Sequence, residues 1–175
     1  MIARLARLRV PLGFVCGALV LWLARPTQGS LLVGGVIGIA GEALRVWAAG
    51  HLYKSSEVTV SGPYRYLAHP LYVGSSLLGA GLAVASNSLA VVVLIAAYLG
   101  ATLGAAIRSE EAFLRRAFGE QYDRYRGGRP GGRGEGAARR FSLERAIANR
   151  EHRAAAGLLA AVLLLLWKAS YNGTL

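Results

Sequence analysis

Apolar residues in this chain are bunched into long runs rather than spread at one helical or strand period. The runs cover residues 10–24, 31–49, 71–85, 89–107 and 154–167, and polar or basic residues bound each of them. Bunching of this kind is the signature of membrane helices. The pattern predicts an all-α polytopic membrane protein, one integral domain over 1–175, with about five transmembrane helices near 6–24, 31–49, 71–85, 89–107 and 154–170. The first run is short for a crossing of about 20 residues, so its helix is expected to begin near Leu5, with Arg side chains snorkelling to the headgroups. Arg25-Pro26 makes a poor cleavage site, and a retained anchor is expected rather than a signal peptide.

The segments between the runs are equally informative. Ser86-Asn87-Ser88 is so short a link that runs three and four must form an antiparallel helical hairpin. Residues 50–70 are polar and rich in Tyr, and Ser61-Gly62-Pro63 and His69-Pro70 exclude one continuous helix there. From Arg108 to Tyr125 a stripe of Ile107, Leu114, Phe118 and Tyr122 predicts a cytoplasmic amphipathic helix leaving the membrane. Residues 127–136 hold six glycines in ten and read as a flexible linker. Residues 139–153 are basic and helix-compatible.

Charge changes the picture by giving it a direction. A net charge of +11 on 175 residues would suggest nucleic acid in a soluble protein, but here the Arg residues flank apolar runs, so no nucleic-acid partner is expected. Placing the N-terminus inside puts 18 of the 20 Lys and Arg on the cytoplasmic face, leaving only Arg25 and Lys168 outside. That asymmetry predicts a cytoplasmic N-terminus, an outer C-terminus and a cytoplasmic region made of 50–70 and 108–153, with a prokaryotic plasma membrane as the expected location. The single Cys16 lies inside the first run, which excludes an intrachain disulfide or a cysteine metal cluster.

Two polar islands could carry chemistry. The first is the hinge Gly62-Pro63-Tyr64-Arg65-Tyr66-Leu67-Ala68-His69-Pro70-Leu71-Tyr72-Val73-Gly74, and the second is Glu110-Glu111. Because the hairpin begins at one and ends at the other, both should meet at one membrane face within side-chain reach. On a helix Glu111 shares the stripe of Ile107, Leu114 and Phe118, while Glu110 points toward Ala106, Phe113 and Leu114. A carboxylate among apolar neighbours needs a donor, either a side chain or a ligand. Glu42 and Arg45, three apart near the end of the second run, share a helical face and can neutralise each other. His51, His69 and His152 show no metal-ligand spacing, so no metal site is expected. There is no Gly-x-Ser-x-Gly motif and no soluble nucleotide fingerprint.

The order Gly-Pro-Tyr-Arg-Tyr-x-x-His-Pro-x-Tyr-x-Gly, a helical hairpin, Glu-Glu-x-x-Leu and then Phe-Gly-x-x-Tyr-x-x-Tyr (Phe118 to Tyr125) resembles the isoprenylcysteine carboxyl methyltransferase family and its phospholipid methyltransferase relatives. The resemblance covers about residues 41–126. It implies an integral membrane enzyme that moves a methyl group from S-adenosylmethionine to a lipidic or isoprenylated acceptor among the membrane lipids. It further implies cofactor binding by Tyr64, His69, Pro70, Tyr72, Gly74, Glu110 and Glu111. Where the family reads Arg-His-Pro this chain has Ala68, so Arg65, Arg45 or Arg150 would have to substitute, and Arg45 and Arg150 are the candidates for positioning the acceptor. Asn149-Arg150-Glu151-His152, on the same face, is a candidate lid for the pocket. Two other readings fit the hinge: an NADPH-dependent reductase of the sterol reductase type, and a non-catalytic module that binds lipid.

Overall fold

The computed structural model describes residues 2–54, 56–128 and 140–175, with side chains from Leu12 onward. The described residues form helices α1 (Ile2–Leu23), α2 (Gln28–His51), α3 (Pro70–Ser86), α4 (Leu89–Phe118), α5 (Glu120–Arg126), α6 (Leu143–Ala148) and α7 (Glu151–Tyr171). A 3-10 turn at Gly62–Arg65 precedes α3, and among the described residues there is no strand. The expected glycine-rich linker lies from residue 129 onward outside the described residues.

Local chemistry sets the boundaries. Thr27 and Ser30 form a reciprocal capping box that starts α2. Asn87 turns the chain in the left-handed conformation, φ 47°, and its N–H caps Val84, so α3 ends and α4 begins within two residues. Helices α3 and α4 are thereby the antiparallel hairpin that the short link required.

By length and composition α2, α4 and α7 are long and apolar enough to cross a membrane. Helix α3 has 17 residues, about 25 Å, against a hydrocarbon core of about 30 Å. The described apolar part of α1, Leu12–Leu23, is shorter still. Among the described residues, three helices therefore meet the requirement outright. Helix α4, with 30 residues, spans about 45 Å and carries its last turns beyond such a core.

Two further expectations change in detail. The helix expected to run through Tyr125 stops at Phe118, because Gly119 adopts φ 47° and ψ −124°, a backbone conformation open to glycine alone. Helix α5 then folds back under the bundle. Of the basic segment 139–153, residues 143–148 form α6 and residues 151–153 open α7, and Arg150, at φ 66°, breaks the chain between them.

Helix α2 is the centre of the bundle. It lies against α3 with Gly34 facing Gly81 and Gly41 facing Gly74. A Cβ on Gly41 would sit 2.8 Å from the Gly74 carbonyl oxygen. Such contacts bring two helix backbones together. Helix α1 packs on the outer side of the hairpin through Cys16 and Val20 against Val91 and Ile95. Helix α7 closes the other side, and its far end is tied by Lys168 Nζ donating to the Leu21 and Trp22 carbonyls and by Thr174 Oγ1 donating to the Pro26 carbonyl (2.7 Å). The opposite end of the bundle gathers the end of α2, the hinge, the end of α4, α5, α6 and the start of α7.

Candidate active site at the hinge end

The hinge is held from three sides. Gly62, at φ 58°, lies against the His51 ring, whose Nδ1 is 3.1 Å from Ser61 Oγ. Pro63 opens the 3-10 turn, and its carbonyl accepts from the Tyr66 and Leu67 N–H groups at 3.1 and 3.0 Å. His69 is held at φ −135° before Pro70, as a residue preceding proline must be, and Pro70 supplies the first turn of α3. From below, the Tyr125 hydroxyl donates to the carbonyls of Tyr64 (3.0 Å) and Leu67 (3.2 Å). The fold-back at Gly119 is what brings that hydroxyl there.

The structure brings the hinge and the Glu pair together and gives the two acids different surroundings. Glu111 Oε1 lies 3.1 Å from His69 Nε2 and 3.0 Å from Arg126, so it orients the imidazole from behind. Glu110 lines a cavity of about 1000 Å³ with Ala106, Phe113 and Leu114, the neighbours its helical phase predicts. Among the described residues nothing donates a hydrogen bond or an ion pair to Glu110, although it is half-buried. The cavity wall also carries Arg45, Tyr64, His69, Pro70 and Tyr72. Burial holds the Tyr64 phenol well above its ordinary pKa, and the Glu110 carboxylate adds to the rise.

Opposite the hinge, the wall is built from residues about a hundred positions apart. Arg45 donates to both Glu151 oxygens at 2.9 Å and to Ser75 Oγ. Glu42 remains 3.8 Å from Arg45 Nε. Asn149 Nδ2 donates to the Ala49 and Leu52 carbonyls, at 2.9 and 3.0 Å, and so caps the end of α2. Arg145 donates to the Gly50 carbonyl (2.7 Å) and lies 4.0 Å over the Tyr53 ring, a cation–π contact that fixes this edge of the cavity.

Three of the expected site residues stand elsewhere. Gly74 sits in the α2–α3 seam, where a Cβ would strike Arg45 Cγ at 2.5 Å, so its role is to admit the Arg45 stem. Glu111 stands behind His69 and does not line the cavity. Arg150 is exposed, while its neighbours Asn149 and Glu151 form the wall. Ala68 lines the cavity, Arg65 is exposed, and Arg45 is the one substitute named for the family arginine that reaches the wall, already engaged by Glu151. The sequence reading includes Glu151 only within the candidate lid of residues 149–152, not as the partner of Arg45, and does not single out Ser75. The signal for Glu151 was an acid in the first turn of an apolar helix facing an Arg inside another, since a charge at such depth calls for a partner.

The sequence model of the phospholipid methyltransferase family matches residues 37–121, from the middle of α2 through the hinge and α3 to the start of α5. That is the family the hinge and the Glu pair resemble, and the match supports a membrane methyltransferase in general terms. The chain is similar to the cobalt-zinc-cadmium resistance protein CzcN of Cupriavidus metallidurans, 34% identical over 119 residues, 64% of this chain and 55% of that protein. It is also similar to the nickel-cobalt-cadmium resistance protein NccN of Alcaligenes xylosoxydans xylosoxydans, 33% identical over 101 residues, 56% of this chain and 47% of that protein. The chain thus spans about half the length of these curated relatives. No solved structure matches.

Proposed function

We propose, from the phospholipid methyltransferase match and the cavity that the matched segment walls, that this chain transfers a methyl group from S-adenosylmethionine to a lipidic acceptor at the cytoplasmic membrane face. The observation that carries the reading is the half-buried Glu110 carboxylate, lining a cavity of about 1000 Å³ with nothing among the described residues donating to it. A half-buried carboxylate facing a cavity offers acceptor oxygens to a ligand, and the hydroxyls and ammonium of a nucleoside amino acid match them. A volume of this order suits a nucleoside-sized donor together with an acceptor head. Tyr53, Tyr64, Tyr72 and Phe113 offer aromatic faces for adenine and for a positively charged sulfur.

The bound donor supplies a methyl group already activated on a sulfonium. The protein therefore has to hold, align and keep dry. Glu110 anchors, the aromatic faces orient, and His69, with its ring fixed by Glu111, keeps the hinge wall in one geometry. Arg45, held between Glu151 and Ser75, sits where the acceptor's head would arrive. Helices α1 and α3 complete five crossings, and the basic residues at the hinge end orient it toward the cytoplasm. The relatives' names concern resistance to cobalt, zinc, cadmium and nickel. Among the described residues no group of three His, Cys, Asp or Glu stands together as metal ligands would.

Calorimetric titration of the purified chain tests the reading. S-adenosylhomocysteine should bind and NADPH should not. Glu110→Gln should weaken the first by about tenfold to a hundredfold, the worth of hydrogen bonds to a charged acceptor. Binding of NADPH alone would make the chain a reductase, and binding of neither a lipid-binding module.

A further inference from the structure

Helix α6 is docked inside out. It is held to the end of α2 by polar bonds: Arg145 donates to the Gly50 carbonyl and the Tyr53 hydroxyl, and Asn149, just past the helix, donates to the Ala49 and Leu52 carbonyls. Within α6 only Ala146 is buried. Leu143 and Ile147 lie four apart, hence on one face, and are 62% and 52% exposed. Phe141, whose ring edge rests on Gly50, leaves nearly half of its surface beside them. A helix packed in water turns its leucine and isoleucine inward and its arginine out, and here the order is reversed.

We propose that this face of α6 is seated at the boundary of headgroups and acyl chains in the leaflet on the hinge side, and that the arginines around it take the phosphates of anionic phospholipid. Two features carry the assignment. The first is position: α6 ends at Ala148, and α7, long and apolar enough to cross a membrane, begins at Glu151. The apolar face therefore sits beside the point where the chain enters the membrane. The second is charge. Arg140, Arg150 and Arg153 are exposed, and among the described residues no side chain accepts from their guanidinium groups, while Glu144 is the one exposed acid between 140 and 153. An apolar face with a basic rim is what an anionic lipid surface selects. A second copy docked on the same face would bring the same arginines together, at a cost. The anchor also reaches the hinge cavity, because Arg145 and Asn149 tie α6 to Leu52 and Tyr53 in its wall. The assignment needs a membrane around α7 and is independent of the methyl-transfer reading.

The test uses the full chain with Cys16→Ala and one new cysteine carrying a bimane fluorophore, in nanodiscs of equal parts phosphatidylcholine and phosphatidylglycerol. Ile147→Cys reports the apolar face, Leu143→Cys reads the same face independently, and Ala148→Cys, exposed on another side of α6, is the reference. Lipids with brominated acyl chains should quench 143 and 147 severalfold more than 148, and iodide in the water should do the reverse. With the bromine on phosphatidylglycerol, quenching at 147 should report about fivefold local enrichment over phosphatidylcholine, the worth of one basic side chain at an anionic surface. Arg140→Gln together with Arg150→Asn, a residue suited to the left-handed backbone there, should bring the two brominated lipids close to level while 147 stays quenched. Iodide reaching 143 and 147 as readily as 148 overturns the proposal, because the face is then in water. Protection of 147 from both bromine and iodide also overturns it, since a protein then covers the face. Equal quenching by the two brominated lipids in the parent chain, or a preference for phosphatidylglycerol that survives the arginine substitutions, overturns it as well.

Discussion

Helix α2 has two seams, and they are built on opposite principles. Against α3 it presents Gly34 and Gly41, and the facing Gly74 and Gly81 let the two backbones meet with no side chain between them. Against α7 it presents Arg45, and there a bidentate ion pair to Glu151 and the cap from Asn149 hold the helices together. The first seam has no room to move, so it fixes Pro70 and with it the hinge. The second is held by long polar side chains and leaves open a slot lined by Gly35 and Gly157. The glycine seam supplies position, and the ionic seam supplies space.

The largest effect should come from the ionic seam. Glu151→Ala removes the closer of the two carboxylates beside Arg45, and because Glu42, 3.8 Å from its Nε, still offsets part of the charge, the loss should be about 3 kcal/mol, the low end for a broken buried pair. Thermal unfolding in detergent micelles measures it. Replacing all three charges, Arg45→Met with Glu151→Leu and Glu42→Gln, should recover most of the loss, because the penalty belongs to the orphaned charge and not to the missing pair. If the single variant is as stable as the parent, the second seam is not held by charge, and the contrast disappears.

The glycine seam should respond next. Gly41→Val drives a side chain into the Gly74 carbonyl and the Leu78 amide, backbone atoms with nowhere to go, and should destabilise by about 1–3 kcal/mol. Gly35→Val, on the same helix but facing open space, is the control and should lie within about 0.5 kcal/mol of the parent. Equal losses at both positions would mean that the seam is no tighter than the slot.

The two seams were unequally legible in the sequence. The helices, the hairpin and the meeting of hinge and Glu pair follow from run lengths and a three-residue link, which are local facts. Helical phase also gave the neighbours of Glu110 correctly. It could not say which flank of α4 faces the hinge, so the parting of Glu110 from Glu111 had to come from the packed structure. Gly74 is a binding candidate through the resemblance motif it ends, yet its contacts are Gly41 and Arg45, which depend on how two helices cross. Arg150 is a candidate as a stand-in for the family arginine, yet at φ 66° it is exposed while Glu151 beside it reaches the wall. Nothing local announces that.

The clamp on the hinge gives a smaller effect. Tyr125→Phe keeps the buried ring and removes the hydroxyl that the Tyr64 and Leu67 carbonyls share, so the loss should be about 1 kcal/mol. Hydrogen exchange should report it as faster opening of the hinge amides of Tyr66 and Leu67, with α2 and α3 protected as before. Exchange that rises equally along α3 would show that the glycine seam depends on the clamp.

The finest test concerns Tyr64, whose ring lies in the wall between the two seams. Burial first, and then the Glu110 carboxylate, keep its phenol protonated above the ordinary pKa of about 10. The folded chain therefore holds this proton more tightly than the unfolded chain does. Its contribution is complete below pH about 10 and is lost as the pH rises from there toward the folded value, because only the unfolded state releases the proton in that window. Thermal unfolding of the parent should thus fall more steeply above pH about 10 than that of Tyr64→Phe. Ultraviolet titration of the phenolate should show Tyr64 ionising after the exposed tyrosines. In Glu110→Gln the rise should shrink and persist, since burial is the larger cause. If Tyr64 titrates with the exposed tyrosines in the parent chain, water reaches the cavity wall, and the dry enclosure that methyl transfer needs is not there.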